Sequence, residues 1–452
     1  MTETITLLHQ IADLDPATVS RQLLTTVAAL GGTVFACRSA CTTARWLRAD
    51  TETRASLKQA RRIRRSWRRL APMTGLTVTE PAPKVQADGR PLEPKVRLPR
   101  IKLTADQFGV TVTATTLPRV GLEAWQDAAD DLCNAWSMRR VKISQPRPGT
   151  VIARGFRREP LDTPLPSPLL REDGAPAVAP GSLSCRDDVL LGWDEDGNAV
   201  RLNLATGAHG LIAGVTRSGK SVTVNTLLAH ASLMRDVQLV VIDPNLAAAA
   251  PWWTPAHRVS DATHPDQASE LLAEIREEMH RRENLFWSAR TDRITGFSPE
   301  LPLLMVVIDE VAHYTRHTDR KAREHFEAHL LAIASQGAKY GVRLWLITQK
   351  PSADVLSTAL RTNLSARICH RVDTTEDYLH LFPDGRDLDI TAADRTLPAG
   401  VAITSVTGMP TPVRMRAVHL PTEACWRIND TLTAADHQVR PLPGTTDFTK
   451  AA

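Results

Sequence analysis

Cysteine is sparse in this chain of 452 residues, and so are acids near its front. The six cysteines are Cys37, Cys41, Cys133, Cys185, Cys369 and Cys425, and only the first two are close together. No second Cys/His pair completes a zinc site at usual spacing, which excludes a finger or ribbon and reads as free thiols in a reducing compartment. The amino-terminal stretch MTETITLLHQIADLD is polar and acidic, so it is not a secretory signal. Long apolar runs are also lacking. Residues 22–37, QLLTTVAALGGTVFAC, are too short and too rich in Gly and Thr for an ordinary spanning helix. They read as a buried or membrane-touching helix. Internal repeats are absent.

What is present is unevenly distributed. Residues 1–170 hold 26 Lys and Arg against 15 Asp and Glu, leaving 29 against 35 for the remainder. A basic front on a slightly acidic back suggests an anionic partner, either nucleic acid or a lipid surface. The charge concentrates in RASLKQARRIRRSWRRL, residues 54–70, with eight cations and no acid. There Leu57, Ala60, Ile63, Trp67 and Leu70 recur at helical spacing, predicting one narrow apolar stripe on a cationic helix. Such a helix suits DNA phosphates, an anionic membrane surface or a basic coiled-coil arm.

Pro-rich stretches at 77–100 and 159–182 read as linkers. They divide the chain into a helical basic segment (1–75), a small α+β domain (100–160), a large domain (183–420) and a tail with a helix fragment (421–452). In the large domain, apolar strands alternate with helical runs: HGLIAG, VQLVVID, LPLLMVVIDE, VRLWLITQ, ARICHRV and GVAITSV. Continuous apolar strands with helical crossovers predict an α/β fold whose mostly parallel sheet is covered on both faces.

Gly214 to Ser221 reads G-V-T-R-S-G-K-S, between an apolar strand and a helix. This is a phosphate-binding loop: Gly214, Val215, Thr216, Arg217, Ser218 and Gly219 present backbone amides, Lys220 reaches the β- and γ-phosphates, and Ser221 ligates Mg²⁺. ATP and Mg²⁺ are therefore the expected cofactors. About ninety residues on, Asp309 ends a buried strand and would hold the magnesium hydration shell, while Glu310 would polarise the attacking water. Gln349, at the end of LWLITQ, is a candidate γ-phosphate sensor; it and Thr348 read equally well as a strand cap. Asp243 reads as the cap of the turn at Pro244. Lys350, Arg361, Arg367 and Arg371 follow the sensor strand and would be phosphate contacts if DNA threads past that face, or otherwise a solvated surface.

Four blocks occur in order: HGLIAGVTRSGKSVTVNTLL, LVVIDPN, LPLLMVVIDEVA and GAKYGVRLWLITQKPSADVLSTALRTNLSARI. Together they resemble the motor of the FtsK/SpoIIIE family of double-stranded DNA translocases, over roughly residues 180–420. The size and look of the chain are also similar to FtsK-like transfer proteins of actinobacterial conjugative elements. The resemblance implies a RecA-like fold, a hexameric ring, and ATP hydrolysis between subunits that drives duplex DNA. It carries site roles to Gly219, Lys220, Ser221, Asp309, Glu310 and Gln349, and DNA-contacting positions to Lys350 and Arg361. The chain departs at GAKYG, where Ala338 stands at the place of the family's trans-acting arginine, and at Asn245, which ends the IDPK-like block. It also lacks room for the winged-helix module of long members, and their multi-span anchor is missing unless residues 22–37 serve as a reduced version. The expected location is the cytoplasm, at or near the inner membrane face. Other cargoes of the same core are a secreted protein, as in type VII ring ATPases, or a strand to be unwound by a helicase. A nucleotide-dependent scaffold would not need the water-activating carboxylate.

Overall fold

A computed structural model describes residues 46–47, 49–80, 94–207, 209–245, 249–253, 256, 258–383 and 390–435. The chain divides into two compact units, 1–159 and 160–452. Residues 22–37 lie outside the described residues. Among those described, no helix is long and apolar enough to cross a membrane.

In the first unit the arginine-rich segment is helix α1 (Thr51–Met73). The Asp50 carboxylate caps it by accepting from the Glu52 and Thr53 amides. Its buried positions are Ser56, Ala60, Ile63, Trp67 and Ala71, three or four residues apart. A short pair, β1 (Val78–Thr79) and β2 (Val96–Arg97), follows. Then come β3 (Ile101–Ala105), β4 (Gly109–Thr115), helices α2 (Leu122–Asp127) and α3 (Ala129–Ala135), β5 (Arg140–Arg147) and β6 (Thr150–Phe156). The last four strands form an antiparallel sheet in the order β3-β4-β6-β5. In β4, Val110, Val112 and Ala114 point inward while Thr111 and Thr113 are partly exposed, the alternation of a one-sided sheet. Ile63 and Trp67 join the same core as Val112, Val151, Ala153 and Trp136. Trp67 also stacks on Trp125 at 5.8 Å and donates from Nε1 to the Pro99 carbonyl. The apolar stripe of α1 is thus the inner face of a domain core. A membrane-lying helix needs that stripe free, and here it is covered.

The second unit holds one sheet of ten strands: β7 (Asp188–Asp194), β8 (Ala199–Asn203), β9 (His209–Ala213), β10 (Val237–Ile242), β11 (Arg258–Ser260), β12 (Leu303–Ile308), β13 (Val342–Thr348), β14 (Leu364–His370), β15 (Val401–Ser405) and β16 (Val413–Ala417). Their order is β11-β10-β12-β13-β9-β14-β15-β16-β7-β8. The first six are mutually parallel, and the remainder add antiparallel. Between the strands run α4 (Lys220–Leu233), α5 (Pro265–Ala289), α6 (Ala312–Thr315), α7 (Arg320–Gln336), α8 (Thr358–Asn363), α9 (Thr375–Leu381) and α10 (Thr422–Ala434).

Strands β9, β10, β12 and β13 are buried along their whole length, and neighbouring residues of β10 and β12 feed opposite cores. Leu239, Val241, Met305 and Val307 pack with Leu227 and Leu228 of α4. Val240, Ile242, Val306 and Ile308 pack with Ile275 of α5 and Phe326 and Leu330 of α7. This is the mostly parallel, doubly covered sheet of a RecA-like P-loop NTPase motor. Residues 421–452, read from sequence as a tail, begin with α10, whose Ala424, Cys425, Ile428 and Leu432 are buried in the first of these cores. The apolar spacing of TEACWRINDTL supplies that face.

Candidate nucleotide site

The strand order sets the site. Strand β13 lies between β9, which leads into the glycine loop, and β12, which ends at Asp309. All three are parallel, so their carboxyl ends share one edge, where ligand crevices of such sheets form. Loop 214–219, the pair Asp309–Glu310 and Gln349 therefore converge although about 130 residues separate the first from the last.

The loop is shaped by what lies beneath it. Gly214 has φ of 151° and Gly219 of 100°. A β-carbon on Gly214 would stand 2.7 Å from both the His370 Cβ and the Ser218 Oγ. One on Gly219 would stand 2.4 Å from the Gly400 nitrogen. Neither position admits a side chain, which explains both glycines. Arg217 also adopts positive φ, 63°. The loop is tied down at its start by Gly214 N–H to the Thr348 carbonyl (3.2 Å) and Val215 N–H to that of Arg371 (3.0 Å). Its end is held by Gly400 N–H to the Ser218 carbonyl at 2.8 Å. Among the described residues, the amides of Thr216, Arg217, Gly219, Lys220 and Ser221 have no protein acceptor. Successive free amides at the start of α4, a fourteen-residue helix, match the needs of phosphate oxygens. Ser221 is exposed in the first turn of that helix, available to a magnesium ion.

Opposite the loop, Glu310 has φ of 46°, an unusual conformation for a residue with a β-carbon. Its carboxylate is held by the Thr348 hydroxyl, which donates to Oε1 at 3.1 Å, and by the Gln349 amide, 3.2 Å from Oε2. Lys220 Nζ is 3.9 Å from the same Oε2. Both side chains are largely buried, at 12% and 17% exposure, so this pair is screened less than a surface ion pair. Burial lowers the Lys220 pKa, and Glu310 and Asp309 oppose that shift. Burial likewise raises Asp309, to about 6, with the Asp243 charge adding to it and Lys220 opposing. The Thr216 hydroxyl lies 3.5 Å from Gln349 Oε1. The structure thus brings together Lys220, Glu310, Gln349 and Thr216, with Asp309 close enough for its charge to act on Lys220.

Other positions fall differently. Asp243 accepts from the Asn245 and Ala249 amides, so it caps the turn, while its charge acts on Asp309. Lys350 is exposed beside Gln349. The Arg361 guanidinium is held by the His380 carbonyl and the Thr358 hydroxyl, and Arg367 by the carbonyls of Leu364, Arg361 and Leu381. Both arginines bind the chain to itself in this structure. Ala338 is exposed, and its carbonyl accepts from Arg343.

Sequence reasoning missed the layer below the loop. Thr223 of α4 and His370 of β14 meet at 2.9 Å, fully buried. Burial pushes the His370 pKa down to about 4, which keeps the imidazole neutral. A histidine in the apolar strand ARICH was the available signal. Gly400, 180 residues beyond Lys220, carried none.

Comparison with known proteins agrees with this geometry. Residues 185–300 match the FtsK/SpoIIIE family profile. The chain is 30% identical to the DNA translocase SftA of Bacillus subtilis (strain 168) over 318 residues, 66% of this chain and 31% of that protein. It is 27% identical to the DNA translocase SpoIIIE of the same organism over 379 residues, 77% of this chain and 46% of that one. The chain therefore spans less than half the length of these relatives. A solved structure of the pCW3 conjugation coupling protein TcpA, a monomer with ATPγS, covers 84% of this chain and 99% of its own at 18% identity and a TM-score of 0.48, too distant to inform the site. The profile match over residues 185–300, the curated relatives and the convergent loops all support membership in the FtsK/SpoIIIE family.

Proposed function

We propose that the chain is an ATP-driven motor that moves double-stranded DNA. The observation that carries this reading is the convergence of five acceptor-free amides, Lys220 and a clamped Glu310 on one sheet edge. In it, the amides of Thr216, Arg217, Gly219, Lys220 and Ser221 and the Lys220 ammonium bind the ATP phosphates, and Ser221 with Asp309 holds Mg²⁺. The bound metal would offset phosphate charge. Glu310 orients and deprotonates the attacking water; its clamp by Thr348 and Gln349 links the water position to the strand end. Gln349 senses the γ-phosphate, and through Lys350 it connects hydrolysis to the surface that grips DNA. Arg361 joins that grip by releasing His380. Ring assembly as a hexamer, an arginine supplied by a neighbouring copy, action at the membrane face and delivery of a conjugative element between cells rest on the family resemblance.

Steady-state ATPase rate on the full chain tests this reading, measured alone, with linear duplex and with single strands. The expected result is strong stimulation by duplex. Basal activity indifferent to any nucleic acid would contradict it.

A further inference from the structure

The outer face of α1 has no role in the site or in its own domain. Lys58, Arg61, Arg62, Arg64, Arg65, Arg68 and Arg69 are all exposed. Among the described residues, none of the seven has an ion pair or side-chain hydrogen bond. Arg54, by contrast, lies over Trp46 and donates to the carbonyls of Trp46 and Leu47. The one acid in α1, Glu52, is taken by Arg157 and Arg158. At 100° per residue the seven cations occupy an arc of about 160° opposite Ser56, Ala60, Ile63, Trp67 and Ala71, and extend about 17 Å along the axis. Uncompensated like charge on one rigid face weakens a helix, since neighbours at i,i+3 and i,i+4 repel. The fold nonetheless secures this helix through Trp67 and Ile63, which holds the cationic face outward.

We propose that this face is a second, sequence-independent grip on the phosphate backbone of duplex DNA, outside the motor. Six of the seven cations are arginines, whose forked guanidinium engages phosphate oxygens with two donors. Duplex DNA offers about one charge per 1.7 Å of axis, so a face about 17 Å long meets several phosphates at once. A lipid surface fits less well, because interfacial binding draws on buried apolar area and the stripe of α1 is already covered by its own sheet. The choice of DNA as polymer rests on the proposed motor function.

The test uses the full chain without nucleotide, so failure of the motor assignment and failure of this one give different results. Binding to a short labelled duplex is followed by fluorescence anisotropy between about 50 and 200 mM salt. The variant is Arg61→Gln, Arg64→Gln, Arg65→Gln and Arg68→Gln together. All four residues are exposed, so the melting temperature and basal ATPase rate are expected to hold. Each lost phosphate contact removes about 0.9 from the slope of log affinity against log salt, so a decrease of about 2–4 is expected, with roughly ten-fold or greater weakening. The matching Arg→Lys variant should keep most of the slope. Parental slope and affinity in the Gln variant would overturn the proposal. So would loss of binding to phosphatidylglycerol vesicles with duplex binding unchanged.

Discussion

Replacing Asp309 by asparagine should make the ligand-free protein more stable while destroying its activity. Asp309 ends a buried strand, and burial with the neighbouring Asp243 charge lifts its pKa to about 6. In the unfolded chain it is an ordinary carboxylate near 4. At about 1.4 kcal/mol per pKa unit, the charged form costs the native state up to about 3 kcal/mol. The folded pKa is the higher one, so the native state holds a proton between about pH 4 and 6 that the unfolded state has released. Stability therefore falls as pH rises through that window, and the penalty is complete above it. Asparagine has the same shape, can still accept from the Glu310 amide, and carries no charge. With EDTA and no nucleotide, Asp309→Asn should raise the melting temperature at pH 7.5 by a few degrees, and the gain should vanish near pH 4. Magnesium-dependent ATP hydrolysis should be lost in the same variant. Differential scanning fluorimetry across pH gives both arms of the stability test. A variant that melts at or below the parent at pH 7.5, or whose gain persists at pH 4, would refute the reasoning.

Further predictions concern the same edge of the sheet. Glu310→Gln keeps an oxygen for Thr348 and Gln349 but removes the base, so turnover should fall by about 10²–10⁴ with nucleotide still bound, read by steady-state rate and a fluorescent ATP analogue. Gly219→Ala places a β-carbon 2.4 Å from the Gly400 nitrogen at a φ of 100°, so nucleotide binding should be lost and the melting temperature lowered. Below about pH 6 a proton on metal-free Asp309 competes with Mg²⁺, so the Mg²⁺ concentration giving half-maximal hydrolysis should rise as pH falls from about 7 to 5; an unchanged Mg²⁺ requirement at about pH 5 would contradict that assignment.

The local elements of the motor were legible because each is strongly patterned. VQLVVID and LPLLMVVIDE are continuous apolar runs, and both became central parallel strands. The glycine loop was readable from spacing, since φ above zero and close backbone contact require glycine at two of its positions. The parallel half was legible from its continuous apolar strands and helical crossovers. The antiparallel half built from β15, β16, β7 and β8 has no such crossover signal and appeared only in the structure. The stripe on α1 was read correctly as apolar, but its partner was not readable, because a membrane and a neighbouring sheet ask for the same residues. The supports of the loop, His370 and Gly400, arrive from distant strands and bear no local mark.

The central claim is movement along duplex DNA powered at Lys220, and a triplex-displacement assay measures it most directly. The full chain, ATP and Mg²⁺ are added to a linear duplex carrying a labelled third strand. Release of that strand at an ATP-dependent rate, abolished by Lys220→Ala, is the predicted result. Duplex-stimulated hydrolysis without release, or equal release by Lys220→Ala, would contradict it.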